Sequence, residues 1–213
     1  MKTTMCLCAG LLALFPLMVA AESGPSANGD FDFAVDGAAG AIQFDARTAA
    51  DGTSAGQMSF SGAVEISNED VDGTGDPVAP LSGLAMDVAF DCLEVNSNRA
   101  AMSGVVTAAS DPAYVGQRAV LAVEDNGEGA QDSPDTFTWG VYRSTARTWI
   151  PVDAEVPDDN GASLVWIATD AEREDDAGVP SNRSTVVDCK SFPLGAYSLV
   201  TIPHGAGNVQ VRP

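Results

Sequence analysis

The chain has 213 residues, 30 of them acidic and 10 basic, giving a formal net charge of −20 at neutral pH. That length fits one large β domain or two small ones. An acid surplus of this size repels phosphate backbones and anionic lipid, and no Lys/Arg cluster opposes it, so no nucleic-acid or membrane-surface partner is expected.

Residues 1–21 read as a secretory signal peptide. Lys2 supplies the positive start, and residues 7–19 form an apolar run broken only by small residues and Pro16. Val19, Ala20 and Ala21 then offer the small residues a signal peptidase needs before Glu22. The run is too short to persist as a membrane-spanning anchor. The expectation is a secreted or periplasmic protein without a membrane anchor after cleavage. Cys6 and Cys8 would leave with the peptide, and their neighbours do not make a lipoprotein attachment site.

Residues 22–30 are small and polar and are expected to form a flexible lead-in. Beyond them apolar side chains recur with a period of two. Met58, Phe60, Val64 and Ile66 alternate with polar neighbours, as do Leu84, Met86, Val88, Phe90 and Cys92, then Phe137, Trp139 and Val141, then Tyr197, Leu199 and Thr201. This is the pattern of half-buried antiparallel strands. Acidic, glycine- and proline-rich stretches at 70–80, 126–135, 156–161 and 170–181 separate them as loops. No long apolar stripe at helical spacing occurs. The predicted fold is all-β, an antiparallel β-sandwich or partly open barrel over residues 31–213. Past the signal peptide only Cys92 and Cys189 remain, and an even pair in an exported protein predicts a disulfide. Cys92 falls on the apolar face of its strand, so the bridge is expected to face inward.

Several blocks carry a resemblance: residues 43–47 (Gln-Phe-Asp-Ala-Arg), 56–62, 88–92, 99–104, the run Val-Glu-Asp-Asn-Gly-Glu-Gly at 123–129, Asp-Thr-Phe at 135–137 and Gly-Asn-Val-Gln-Val at 207–211. Together they resemble the small β domain that follows choice-of-anchor modules in exported bacterial proteins. The resemblance implies a compact β domain of unassigned function, an accessory piece of surface or secreted proteins, with no catalytic residues to carry over. Between Trp139 and Leu194 this chain holds about fifty residues that the pattern does not need, an insertion around 143–193.

The best ligand candidate is the loop with Glu124, Asp125, Asn126 and Glu128, followed by Asp132 and Asp135. Calcium takes six to eight oxygen ligands, which acids, Asn and a glycine-bearing loop supply. The competing explanation is turn chemistry, because Asn-Gly segments form tight turns unaided. The acidic loop at 70–76 is a weaker candidate that lacks EF-hand spacing. Calcium is the only cofactor these residues suggest.

Catalytic motifs are missing. His204 is the only histidine and sits in a Pro-His-Gly turn, and neither HExxH nor GxSxG occurs. A non-enzymatic accessory or binding protein is therefore expected, with a cell-surface protein or glycan as partner. The alternatives are a carboxylate-dependent, glycosidase-like hydrolase and a carbohydrate-binding module. Trp139 and Trp166 lie on alternating strands and are expected in the core. Trp149 is the candidate for an exposed, sugar-stacking ring.

Overall fold

Alternating side chains build an antiparallel meander in which each strand pairs with the next. Its members are β1 (Ser26–Val35), β2 (Ala38–Thr48), β3 (Ser54–Val64), β4 (Leu81–Asn96), β5 (Arg99–Ala109), β6 (Arg118–Glu124) and β7 (Thr136–Tyr142). β8 (Thr148–Pro151) and β9 (Trp166–Thr169) make a separate two-stranded ribbon. β10 (Val200–Thr201) joins β7, and β11 (Gly207–Arg212) joins β1, so the main sheet has nine strands in the order β10-β7-β6-β5-β4-β3-β2-β1-β11. The computed structural model describes residues 24–35, 38–64, 81–127, 133–142, 144–146, 148–151, 166–169, 187–195 and 200–213. Among them the only helical elements are two 3-10 turns, Pro112–Tyr114 and Cys189–Ser191. No helix among the described residues is long and apolar enough to cross a membrane.

The chain order forces this sheet to curl. Nine flat strands at roughly 4.8 Å each would put the two edges about 38 Å apart. The chain passes from Thr201 on one edge to Gly207 on the other, and those six Cα steps reach at most about 22 Å. The sheet therefore bends into a half-barrel, the partly open barrel of the two architectures expected. Its edges meet through side chains. Asp135 Oδ2 accepts from Val209 N–H at 2.9 Å, and Asp125 Oδ2 accepts from Val211 N–H at 2.9 Å. The outer edge of β11 is thus capped by carboxylates from the β6–β7 connection. Unpaired edge N–H groups are a liability that such caps remove.

Inside the curl, aromatic rings from β1, β3 and β7 meet. The Phe31 and Phe137 centroids are 4.8 Å apart, Phe33 and Phe137 4.9 Å, and Phe60 and Trp139 4.4 Å. Ile42, Met58, Met102, Leu121 and Val209 fill the space between them. Each such buried side chain stabilises by roughly 1.5–3 kcal/mol. Gly29 faces this interior because the Phe44 ring lies over it, where an added Cβ would come within 2.5 Å.

A second apolar cluster lies on the opposite, outward face. Ala101, Val120 and Ala122 project there from β5 and β6, under Ala146, Trp149, Val187, Cys189, Phe192 and Leu194. The described residues 144–146, 148–151 and 187–195 thus form a cover over one outer flank. The Cys92–Cys189 disulfide pins it, with Cα atoms 5.8 Å apart. The expected inward orientation of this bridge is corrected here. Phe90 pairs with Gly104 and Cys92 with Ser103, so Asp91 is the extra residue of a β-bulge. The bulge reverses the alternation, and Cys92 points outward while Leu93 returns to the interior. Gly104 permits the close approach, since a Cβ there would collide with the Ala89 carbonyl.

The lead-in is corrected too. β1 begins at Ser26, within the segment expected to be flexible, and Ala27 is fully buried. Its inward positions there are Ala27 and Gly29, too small to register as hydrophobic alternation.

Candidate functional site

Outward from β11, β1, β2 and β3 the alternation leaves polar side chains, and strand register sorts them into two rows. Gln210 lies opposite Asn28, Asn28 opposite Asp45, and Asp45 opposite Gln57. Asn208 lies opposite Asp30, Asp30 opposite Gln43, and Gln43 opposite Ser59. These residues line a groove of about 430 Å³, with Gly29 and Phe44 beneath them. Within it are five carboxamides, two carboxylates and one hydroxyl. Each amide presents a donor and an acceptor side by side, whereas a carboxylate only accepts. Beyond the first row lies a third, in which Ser26 faces both Arg212 and Arg47. Arg212 donates to Gln210 Oε1 at 3.1 Å. At the far end of the second row, Ser59 Oγ donates to Asp87 Oδ1 at 2.7 Å.

A small-molecule pocket is normally concave and mostly apolar. This groove is open and hydrogen-bonding throughout, and its shape suits an extended polar ligand lying on the sheet. Asp30 and Asp45 are diagonal neighbours on β1 and β2. Both are exposed.

Part of the loop expected to hold calcium lies among the described residues. Asp125 and Asp135 are the seam carboxylates, and their second oxygens are also engaged. Asp125 Oδ1 accepts from Gly127 N–H at 3.0 Å, and Asp135 Oδ1 from Asn126 N–H at 2.8 Å. Asp135 is only 7% exposed. Asn126 Nδ2 donates to the Pro134 carbonyl, and Glu124 pairs with Arg99 at 3.1 Å. Glu128, Asp132 and the loop at 70–76 lie outside the described residues. Among the described residues no three acids, cysteines or histidines gather as a metal site.

Beside the disulfide lies a buried polar cluster. Asp91, the extra residue of the bulge, stays on the outer face, and its two carboxylate oxygens accept from Arg118. That pairing is the main reason the Arg118 guanidinium is held above its ordinary range. Ser103 Oγ, fully buried, accepts from Cys189 N–H at 3.1 Å and from Arg118 at 3.4 Å. Burial pushes the Tyr142 hydroxyl up, partly offset by Arg118. Among the described residues the Tyr142 hydroxyl and Arg118 Nε are buried without a partner at good hydrogen-bond geometry. Both lie beneath the cover, and neither opens onto the groove.

The tryptophan expectations divide. Trp139 packs against the interior cluster as expected. Trp149 is not an exposed ring. It is 9% exposed, stands edge-on to Tyr142 and Phe192, and donates from Nε1 to Ser191 Oγ at 3.1 Å. The cover brings its own apolar residues, so the ring is buried from both sides. The Trp166 side chain lies outside the described residues. His204 is exposed in the turn between β10 and β11.

The groove was not anticipated from the sequence, yet a signal exists. Asn28-x-Asp30, Gln43-x-Asp45, Gln57-x-Ser59 and Asn208-x-Gln210 repeat one polar-x-polar pattern on four segments. Comparison with protein-family models, curated proteins and solved structures found no match.

Proposed function

We propose that this is a secreted or periplasmic binding protein that engages its ligand on the outer face of β11, β1, β2 and β3. The observation that carries this reading is the groove, where eight hydrogen-bonding side chains from four adjacent strands line one surface. Strands hold such groups more rigidly than loops do, which lowers the ordering cost of binding. The disulfide supports an oxidising, extracytoplasmic setting. The motifs resembling the domain that follows choice-of-anchor modules point the same way, to an accessory piece rather than a catalyst.

A second reading draws on Asp30 and Asp45. Diagonal neighbours on adjacent strands lie about 7–8 Å apart, and inverting glycosidases hold their carboxyl pair about 6.5–9.5 Å apart. Their exposure favours binding over hydrolysis. The test is a backbone-amide NMR titration of the protein purified after export, using neutral polysaccharide fragments, anionic fragments and peptides in turn. Binding predicts shifts concentrated at residues 28–30, 43–45, 57–59 and 208–210 without turnover. Shifts confined to other strands would overturn it. Product release abolished in both Asp30→Asn and Asp45→Asn would transfer the groove to the hydrolase reading.

A further inference from the structure

We infer that the groove takes a neutral, extended, β-linked glycan laid across the strands, one sugar to a strand. This rests on the reading of the groove as the ligand surface and adds the ligand's class and direction. The register supplies the first argument. Each of the four strands contributes one polar side chain to each row, and neighbouring strands lie about 4.8 Å apart. That interval is close to the advance of one pyranose ring along an extended β-linked chain, so sugar and strand stay in step over the groove. A coiled α-linked chain drifts out of step. The rows are two residues apart along each strand, roughly 6.7 Å, which leaves room for a ring between them with equatorial hydroxyls meeting both.

Chemistry supplies the second argument. A sugar hydroxyl both donates and accepts, and the carboxamides of Asn28, Gln43 and Gln57 offer the matching pair. Asp30 and Asp45 accept from hydroxyls and repel carboxylates and sulfates, in the same sense as the net charge of −20. With polar residues making up both rows, each sugar is held by hydrogen bonds alone. Affinity per sugar is then small and accumulates with length until the strands run out.

The experiment is calorimetry on the exported protein with cello-, xylo- and manno-oligosaccharides of increasing length, against malto-oligosaccharides and oligogalacturonates. The expected result is affinity for at least one β-linked series that rises up to a tetrasaccharide and then levels. Substituting Gln43→Ala and Gln57→Ala together should weaken it about tenfold, as losing hydrogen bonds worth about 1.4 kcal/mol implies. Preference for oligogalacturonates, which are anionic and α-linked, carried by Arg47 and Arg212, would overturn the neutral, β-linked class and leave the groove as the ligand surface. Affinity independent of length would overturn the strand-by-strand arrangement. Heat with every series but none lost in the double variant would overturn the groove itself, and absence of heat with all of the β-linked series would overturn the glycan.

Discussion

On β5 and β6 the outward positions hold Ala101, Val120 and Ala122, and Ala146, Trp149, Val187, Cys189, Phe192 and Leu194 bury them. On β1, β2 and β3 the outward positions hold Asn28, Asp30, Gln43, Asp45, Gln57 and Ser59, which line an open groove. Both flanks belong to one sheet over one interior. The difference shows how a single curled sheet can bury one outer flank and leave the other polar and open; on the proposed reading it separates stability from recognition. Outward apolar residues require a cover, and here residues 146, 149 and 187–194 provide it. Outward amides need only water or a ligand that replaces it, so they can change without disturbing the interior.

The largest expected effect lies on the covered flank. Removing the bridge with Cys92→Ala and Cys189→Ala frees a loop of 97 residues, and the chain-entropy model assigns about 4–5 kcal/mol to that closure. Urea denaturation should read this loss, and hydrogen exchange should rise at β5 and β6 but not at β1–β3. Equal increases on both flanks would erase the distinction. Next comes Trp149→Ala, expected to cost about 3–4 kcal/mol as a buried large-to-small change. A change near zero would return Trp149 to the exposed ring that the sequence suggests.

Much of the interior was legible because Met86, Val88 and Phe90, or Phe137 and Trp139, alternate in a way only a half-buried strand requires. The second cluster was not legible. Its outward members on β5 and β6 are small apolar residues inside near-continuous apolar runs, and the bulge at Asp91 breaks the count that placed Cys92 inward. The pairing of Cys92 with Cys189 survived that error because cysteine number and compartment do not depend on facing. The seam was legible only as acidity. Asp125 and Asp135 stand out as candidate ligands, but the N–H groups they accept lie more than seventy residues away on β11. Sequence distance hides such a cap. The groove was hidden because half of each of its two rows comes from strands whose polar positions look like ordinary solvent-facing alternation.

The seam offers a third prediction. Asp135→Ala should cost about 2–3 kcal/mol, since it leaves the Val209 and Asn126 N–H groups without their charged acceptor. Asp135→Asn should recover part of this by accepting at one oxygen. Exchange at Val209 and Val211 reports the seam directly, and protection unchanged in Asp135→Ala would show that the barrel edges are held by something else.

A smaller effect follows from Tyr142, 5% exposed. Burial raises its hydroxyl above the ordinary tyrosine value of 10.0, so the folded state favours the protonated form. That contribution is complete below the unfolded value and fades as pH climbs through the folded one. Tyr114 is also raised, by burial and by Asp111. Ultraviolet titration of the native protein should therefore show Tyr142 contributing one part of a late rise that is absent from the urea-unfolded chain. Tyr142→Phe should remove its share of that late rise and of the accompanying alkaline loss of stability. Because the hydroxyl makes no well-formed hydrogen bond among the described residues, the variant should be near neutral in stability at pH 7.

The comparison of the two flanks is tested most directly by placing Gln43→Ala and Gln57→Ala together on the open one. Both side chains are exposed, and the melting temperature should stay within the shift that about 0.5 kcal/mol produces. Binding of a β-linked tetrasaccharide, measured on the same sample, should fall about tenfold. A variant that melts early and binds as before would contradict the account, because the open flank would then hold the fold together rather than the ligand.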